Sequence, residues 1–156
     1  MNIQETTYSW AYLPGERELT VYLTLHHTAV TRASAEEIHN WHLAKGLAGI
    51  AYHYYVRKDG SVIRGRPENW IGARARGLDI CSISVCFEGN FNREQMGYAQ
   101  AAAGAELTAD ICLRYPDIRV ICHHDAAWTS CPGQNFPLDK IVFQQRAAQM
   151  EPPTAD

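Results

Sequence analysis

The chain has 156 residues, 46% of them hydrophobic, and a formal net charge of −3 at pH 7. This size supports one domain, and the slightly negative charge disfavours nucleic acid as a partner. The sequence has no apolar run near the ~20 residues that span a bilayer and no basic-then-apolar leader, so we expect a protein made in the cytoplasm without a signal peptide or membrane contact. We also expect a monomer. The five cysteines, an odd number at irregular spacing, argue against a disulfide framework.

The first predicted elements are a strand that ends in histidines and a capped helix. Residues 20–26, TVYLTLH, alternate between two faces, which predicts a central strand. Ser34 and Glu37 form a capping box at the start of a helix, and Gly46 ends it.

A hairpin and a second strand follow. Residues 51–65 place two β-rich runs on either side of Asp59-Gly60, a dipeptide that suits a type I′ turn. A loop rich in glycine and arginine covers residues 69–79, and residues 82–89, SISVCFEG, alternate as a strand.

The last third of the chain predicts two helices separated by one strand. Residues 92–115 carry an apolar stripe of mostly small side chains at i+3/i+4 spacing, formed by Met96, Ala99, Ala103, Leu107 and Ile111. Residues 118–124, IRVICHH, predict a strand, and residues 136–150 predict a short closing helix.

The order of these elements predicts an α/β fold. We expect a central mixed β-sheet of about five to six strands flanked by about three helices. One domain would cover residues 1–150, and the tail EPPTAD, residues 151–156, is expected to be disordered.

Both histidine doublets fall at the ends of predicted strands, where side chains enter a shared crevice. His26-His27 ends the first strand, His123-His124 ends the last, and Cys131 follows eight residues after His123. Zinc favours nitrogen and sulfur ligands, and a catalytic zinc ion holds three protein ligands and leaves the fourth position to water. One histidine from each doublet plus Cys131 would complete that set, so the pattern favours Zn²⁺ as a cofactor.

Two other interpretations use the same residues. In the first, Cys131 is a nucleophile with His123 or His124 as its base, although Pro132 has no backbone N–H to offer an oxyanion. In the second, the zinc ion is structural. Such a site normally requires four protein ligands, and the sequence offers no convincing fourth.

Four segments, in the same order and with similar gaps, resemble the zinc-dependent N-acetylmuramoyl-L-alanine amidases. They are LTLHHTAV, GIAYHYYVRKDGSVIRGRPENWIGARARG, SISVCFEGNF and VICHHDAAWTSCPGQNFP, and the similarity spans about residues 21–138. That family includes phage lysozyme-type endolysins, bacterial autolysins and animal peptidoglycan recognition proteins. The resemblance implies a zinc hydrolase that cleaves the amide between N-acetylmuramic acid and L-alanine, with peptidoglycan or a muropeptide as its substrate.

The resemblance also implies roles for individual residues. His26, His123 and Cys131 correspond to the zinc ligands, and Tyr52 corresponds to the family's active-site tyrosine. Thr129 stands at a catalytic position that holds lysine in some relatives and threonine in others. At neutral pH a threonine can act there only through a hydrogen bond.

The sequence departs from the family pattern at several positions. Arg74 stands where relatives often carry histidine, Asp79 where they carry asparagine, and Cys86 where some have a catalytic glutamate. Arg74 and Asp79 are expected either to line the crevice and select the stem peptide, or to form an exposed ion pair of little consequence. Arg64 and Arg66 are candidates for binding a peptide carboxylate.

Two functional alternatives to the amidase remain at this point. One is a non-catalytic muropeptide-binding module, although such relatives typically lose the cysteine that is present here as Cys131. The other is a cysteine peptidase acting on the stem peptide. The protein is expected to act on the cell wall if it is released during phage or prophage lysis, or as part of a longer secreted chain.

Overall fold

The computed structural model describes residues 1–142, which form one sheet with helices on both faces. The strands are β1 (Ile3–Gln4), β2 (Tyr22–His27), β3 (Tyr54–Val56), β4 (Val62–Arg64), β5 (Ser82–Phe87) and β6 (Arg119–Cys122). The helices are α1 (Ala35–Ala44), α2 (Tyr98–Arg114) and α3 (Leu138–Ile141), and short 3₁₀ turns cover Asp79–Cys81 and His123–Asp125.

The predicted α/β fold with a mixed sheet is confirmed. The capping box at Ser34 and Glu37 is present at the start of α1, whereas β1 has no counterpart among the predicted elements. The end of the predicted closing helix, residues 143–150, and the tail, residues 151–156, lie outside the described residues. Among the helices of the described part, none is long and apolar enough to cross a membrane.

The strand order in the sheet is β1-β4-β3-β5-β2-β6. β2 runs parallel to both of its neighbours, β5 and β6, and β3 runs parallel to β5 but antiparallel to β4. The carboxyl ends of β2, β5 and β6 therefore meet at one edge of the sheet. In the register of β2 with β6, Leu25 pairs with Cys122.

Alternation along β2 divides its side chains between two hydrophobic clusters. Leu23 and Leu25 are fully buried on the face that α2 covers. Thr24 and His26 point to the opposite face, where α1 and the chain around Tyr52 pack against the sheet. The face opposite α2 therefore carries Thr24 and His26 of the central strand.

Helix α2 begins later than predicted and buries a different stripe. It starts at Tyr98 rather than at residue 92, and Ala99 is exposed. Leu107 and Ile111 are fully buried as predicted, but the buried face also runs through Gly104. A Cβ at that glycine would lie 2.4 Å from a ring carbon of Phe87, so the glycine sets how closely α2 approaches the sheet.

The turn between β3 and β4 differs from the predicted type I′ turn. Gly60 has a positive φ of 88°, but Asp59 does not. The Gly60 amide donates to the Arg57 carbonyl, and the Arg57 amide donates to the Ser61 carbonyl. This is the pattern of a three-residue loop with glycine in the left-handed position, and the Asp59 carboxylate accepts from the Ser61 amide at 2.8 Å.

We predict that Gly104→Ala destabilises the protein by about 1 to 2 kcal/mol, because overpacking outweighs the ~1 kcal/mol that alanine gains over glycine in a helix. Phe87 is fully buried and cannot move aside cheaply. Urea unfolding measures the effect. Gly97→Ala, where a Cβ meets open space, is the control and should change stability by less than about 1 kcal/mol. Equal effects of the two substitutions would show that contact with Phe87 does not limit the packing of α2.

Candidate metal centre

Two histidines meet at the edge where β2 and β6 end. His26 lies within β2, and His123 is the first residue after β6. Because Leu25 pairs with Cys122, the register brings the next residue of each chain segment side by side. Their ring centroids are 4.6 Å apart. His26 is 1% exposed, and His123 is half-buried.

A loop after the second doublet brings Cys131 to the two histidines. The His124 amide donates to the Cys131 carbonyl at 2.9 Å, and the His27 amide donates to Cys131 Sγ at 3.4 Å. Sγ lies 3.9 Å from His26 Nδ1. One potential ligand atom from each of His26, His123 and Cys131 lies within 4.8 Å of the others. We call these three residues the donor cluster.

Thr24 sets which nitrogen of His26 faces the cluster. The Thr24 hydroxyl donates to the Ile83 carbonyl at 3.3 Å, so its oxygen is left to accept from His26 Nε2 at 3.2 Å. This network assigns the ring hydrogen to Nε2 and the lone pair to Nδ1. The lone pair therefore points towards Cys131, as a metal ligand requires.

Burial holds the donor cluster in its uncharged form. It lowers the pKa of His26 well below its ordinary value, with a smaller contribution from the charge of His123, and it lowers the pKa of His123. Burial also raises the pKa of Cys131 to about 11. Both imidazoles are therefore neutral, and a thiolate here requires a cation beside it.

The donor set fits zinc. Two neutral imidazoles and a sulfur that ionises beside a cation are the ligands that zinc prefers. Within the described residues the cluster has three members, which matches an open catalytic site rather than a four-ligand structural site.

The second histidine of each doublet points away from the cluster. His27 Nδ1 accepts from the Phe91 amide at 3.1 Å, so its ring binds the backbone of the loop after β5. His124 is exposed, and its Nε2 lies 3.6 Å from a carboxylate oxygen of Asp125.

A pocket of about 250 Å³ opens over the cluster. Among its lining residues are Tyr52, Arg74 and Thr129, which the sequence analysis singled out. The Tyr52 ring lies 5.2 Å from the His26 ring. Burial raises the pKa of Tyr52 well above its ordinary value, so its hydroxyl is neutral. The neighbouring Cys86 side chain adds to this shift in the pKa of Tyr52.

Two of the predicted substrate-binding residues, Asp79 and Arg66, lie outside the pocket lining and bind backbone groups instead. Asp79 Oδ1 accepts from the amides of Arg74 and of the next residue, at 3.1 and 2.9 Å. Arg66 is buried and donates to the carbonyls of Ile50 and Ile71 at 2.8 and 2.6 Å. Arg64 pairs with Glu5, also away from the pocket.

Helix α1 contributes pocket residues that the sequence analysis did not single out. Trp41, His42 and Lys45 line the pocket together with Ile38. Their i, i+3, i+4 and i+7 spacing places them on one helical face. This spacing is the sequence feature from which they could have been grouped. His42 Nδ1 accepts from the Ala51 amide at 3.0 Å, and burial lowers the pKa of His42 to about 3. The ring therefore presents Nε2–H as a donor.

Comparison with known proteins identifies the class that this fold and site define. The structure superposes on N-acetylmuramoyl-L-alanine amidase LysC from Clostridium intestinale URNW with a TM-score of 0.90 and 33% identity, covering 94% of this chain and 98% of that one. The likeness places the protein among the peptidoglycan amidases. Residues 17–134 match the model of the N-acetylmuramoyl-L-alanine amidase family, and the chain belongs to that family.

Curated relatives include bacteriophage and animal proteins. The endolysin of Klebsiella phage KP32 is 29% identical over 116 residues, which cover 69% of this chain and 77% of that protein. Peptidoglycan-recognition protein SC2 of Drosophila melanogaster is 32% identical over 127 residues, covering 74% of this chain and 69% of that protein. The predicted family and enzyme class are therefore confirmed.

His53, next to Tyr52, makes the stability of the site region depend on pH. It is fully buried, its Nδ1 accepts from the Ser84 amide at 2.9 Å and its Nε2 donates to the Trp70 carbonyl at 2.6 Å. Burial lowers its pKa to about 4 from an ordinary value of 6.5. Below pH 6.5 the unfolded chain therefore binds a proton that the folded protein excludes, so folding loses stability as the pH falls.

We predict that His53 contributes a loss of about 1 to 2 kcal/mol in unfolding free energy between pH 7 and pH 5. Urea titrations at both pH values of the native protein and of His53→Gln measure this contribution. The variant should be less stable at pH 7, because it replaces a buried hydrogen-bonded ring, but its loss on acidification should be smaller by that amount. The same loss in both proteins would contradict the assignment.

Proposed function

We propose that this protein hydrolyses the amide bond that joins the lactyl group of N-acetylmuramic acid to L-alanine in peptidoglycan, with a zinc ion held by His26, His123 and Cys131. The observation that carries the proposal is the convergence of these three donors beneath an open pocket. The substrate would be the cell wall or a muropeptide released from it, as for an endolysin or autolysin.

The donor cluster would supply the metal with two neutral nitrogens and one thiolate. When bound, zinc contributes Lewis-acid chemistry, which polarises a carbonyl and lowers the pKa of water. The chain's own part is to orient the ligands, through Thr24 at His26 and through the His27 amide at Cys131.

Tyr52 is suited to stabilise negative charge on the scissile carbonyl oxygen. Its hydroxyl is neutral and lies on the same pocket wall as His26, so it would donate a hydrogen bond that strengthens as the tetrahedral oxyanion develops. His42 Nε2–H, on a ring packed edge-on against Tyr52 with centroids 5.5 Å apart, is a second donor in this region.

Thr129 would act through a hydrogen bond from its uncharged hydroxyl group. Its Oγ1 accepts from the Cys131 amide at 3.2 Å, which leaves the hydroxyl hydrogen to donate into the pocket. Cys86 cannot replace the glutamate of some relatives as a base, because burial raises its thiol pKa well above the ordinary value. The described pocket lining contains no carboxylate, so this chain would work without a carboxylate base there.

Incubation with purified cell walls tests the proposed activity. We predict new L-alanine amino termini in zinc-containing buffer, their loss on chelation and their return when zinc is added. Cys131→Ser should lose both bound zinc, measured by elemental analysis, and cleavage, because a serine hydroxyl stays protonated. Cys81→Ser, in the 3₁₀ turn before β5, is the control and should keep both.

Other outcomes of this incubation assign the alternative functions. Saturable binding of muropeptides without new amino termini would identify a recognition module, a possibility raised by the Drosophila peptidoglycan-recognition relative. Cleavage that survives complete removal of zinc would identify a cysteine peptidase.

We predict that Tyr52→Phe lowers kcat by about 100-fold with unchanged zinc content, since loss of one oxyanion donor typically costs that much. Tyr54→Phe is the matched control, because the Tyr54 hydroxyl donates to Glu68 at 2.6 Å rather than into the pocket. It should retain kcat within about threefold of the native protein. A Tyr52→Phe enzyme with native kcat would remove Tyr52 from the proposed chemistry.

A further inference from the structure

Arg74 presents an unpaired guanidinium to the pocket. The residue lines the pocket with the donor cluster, and its Nε atom is buried without a hydrogen-bond partner among the described residues. Its backbone is fixed, because Asp79 accepts from the Arg74 amide, but no ion pair is formed between the two side chains in the described part of the structure. An arginine held in this way is available to an anion.

The charges along the pocket wall are all positive. Arg74 and Lys45 are its charged side chains, and no carboxylate is present in the described lining. Lys45 is exposed at the end of α1. Arg74, by contrast, is half-buried, and its Nε atom is inaccessible to solvent. Arg74 is therefore the inner cation of the pocket, and Lys45 lies at its rim.

The proposed substrate offers a carboxylate close to the bond that is cut. In a peptidoglycan stem peptide the residue after L-alanine is a glutamate linked through its side chain, so that its α-carboxyl group is either free or amidated. The free form carries a negative charge, whereas the amide is neutral. A guanidinium pairs with a carboxylate through two parallel hydrogen bonds and has no comparable interaction with an amide.

We propose that Arg74 binds the free α-carboxylate of the stem-peptide residue that follows L-alanine and thereby selects the acidic form of the substrate over its amide. This inference rests on the proposed amidase function. It assigns Arg74 a role in specificity, which distinguishes it from the residues that would hold the metal or polarise the carbonyl.

A pair of synthetic substrates tests the proposal. One is N-acetylmuramoyl-L-alanyl-D-isoglutamate, and the other is the corresponding isoglutamine. The native enzyme should show a kcat/KM about 10- to 100-fold higher for the acid, as expected for one charge-assisted bidentate contact. Arg74→Gln should reduce this ratio to about one without loss of zinc, and Arg74→Lys should retain part of it.

Arg76→Gln is the matched control, because Arg76 lies two residues along the same loop but is exposed and outside the pocket lining. It should keep the native preference. Calorimetric binding of the dipeptides L-alanyl-D-isoglutamate and L-alanyl-D-isoglutamine gives a readout that does not depend on turnover. The native protein should bind the acidic dipeptide more tightly, and Arg74→Gln should bind the two equally.

The results separate this proposal from the proposed function. A native enzyme that cleaves both substrates equally, or an Arg76→Gln variant that loses the preference as Arg74→Gln does, would overturn the role of Arg74 and leave the amidase activity standing. If neither substrate is cleaved, the amidase proposal fails, and the dipeptide affinities then decide whether Arg74 recognises the carboxylate.

Discussion

The parallel pairing of β2 with β6 is the constraint on which the candidate site depends. The pairing of Leu25 with Cys122 places His26, in β2, beside His123, the first residue after β6. A slip of one residue in β2 would turn every side chain to the opposite face. Burial of Leu23 and Leu25 against α2 opposes such a slip. The hydrophobic core on one face of β2 therefore determines that the His26 side chain lies on the opposite face.

The electrostatics of the pocket follow from the same architecture. Three neutral donors lie in a wall that has arginine and lysine but no described carboxylate. A divalent cation would ionise Cys131 and leave the region positively charged. Such an environment favours an anionic substrate and a developing oxyanion. The same excess of positive charge would therefore favour both binding of the anionic substrate and stabilisation of the oxyanion.

Local patterns predicted strands β2 to β6, the capped helix and the proximity of the two doublets. Alternation along residues 20–26 correctly predicted strand β2 and its two faces, because strand geometry is local. The sequence did not reveal the role of Gly104, since that depends on where Phe87 lies. For the same reason, the contribution of His42 and the burial of Arg66 could not be predicted, because both are fixed by contacts with distant loops.

The backbone contacts of the Cys131 loop have a consequence for how the protein would bind the proposed metal ion. The amides of His27 and His124 already hold this cysteine at the strand edge, and Thr24 already orients His26. An incoming ion would then displace a thiol proton without having to organise the chain, so little conformational entropy would oppose its binding. Binding of the proposed metal would thereby be largely uncoupled from folding, in contrast to small domains that fold only around their zinc.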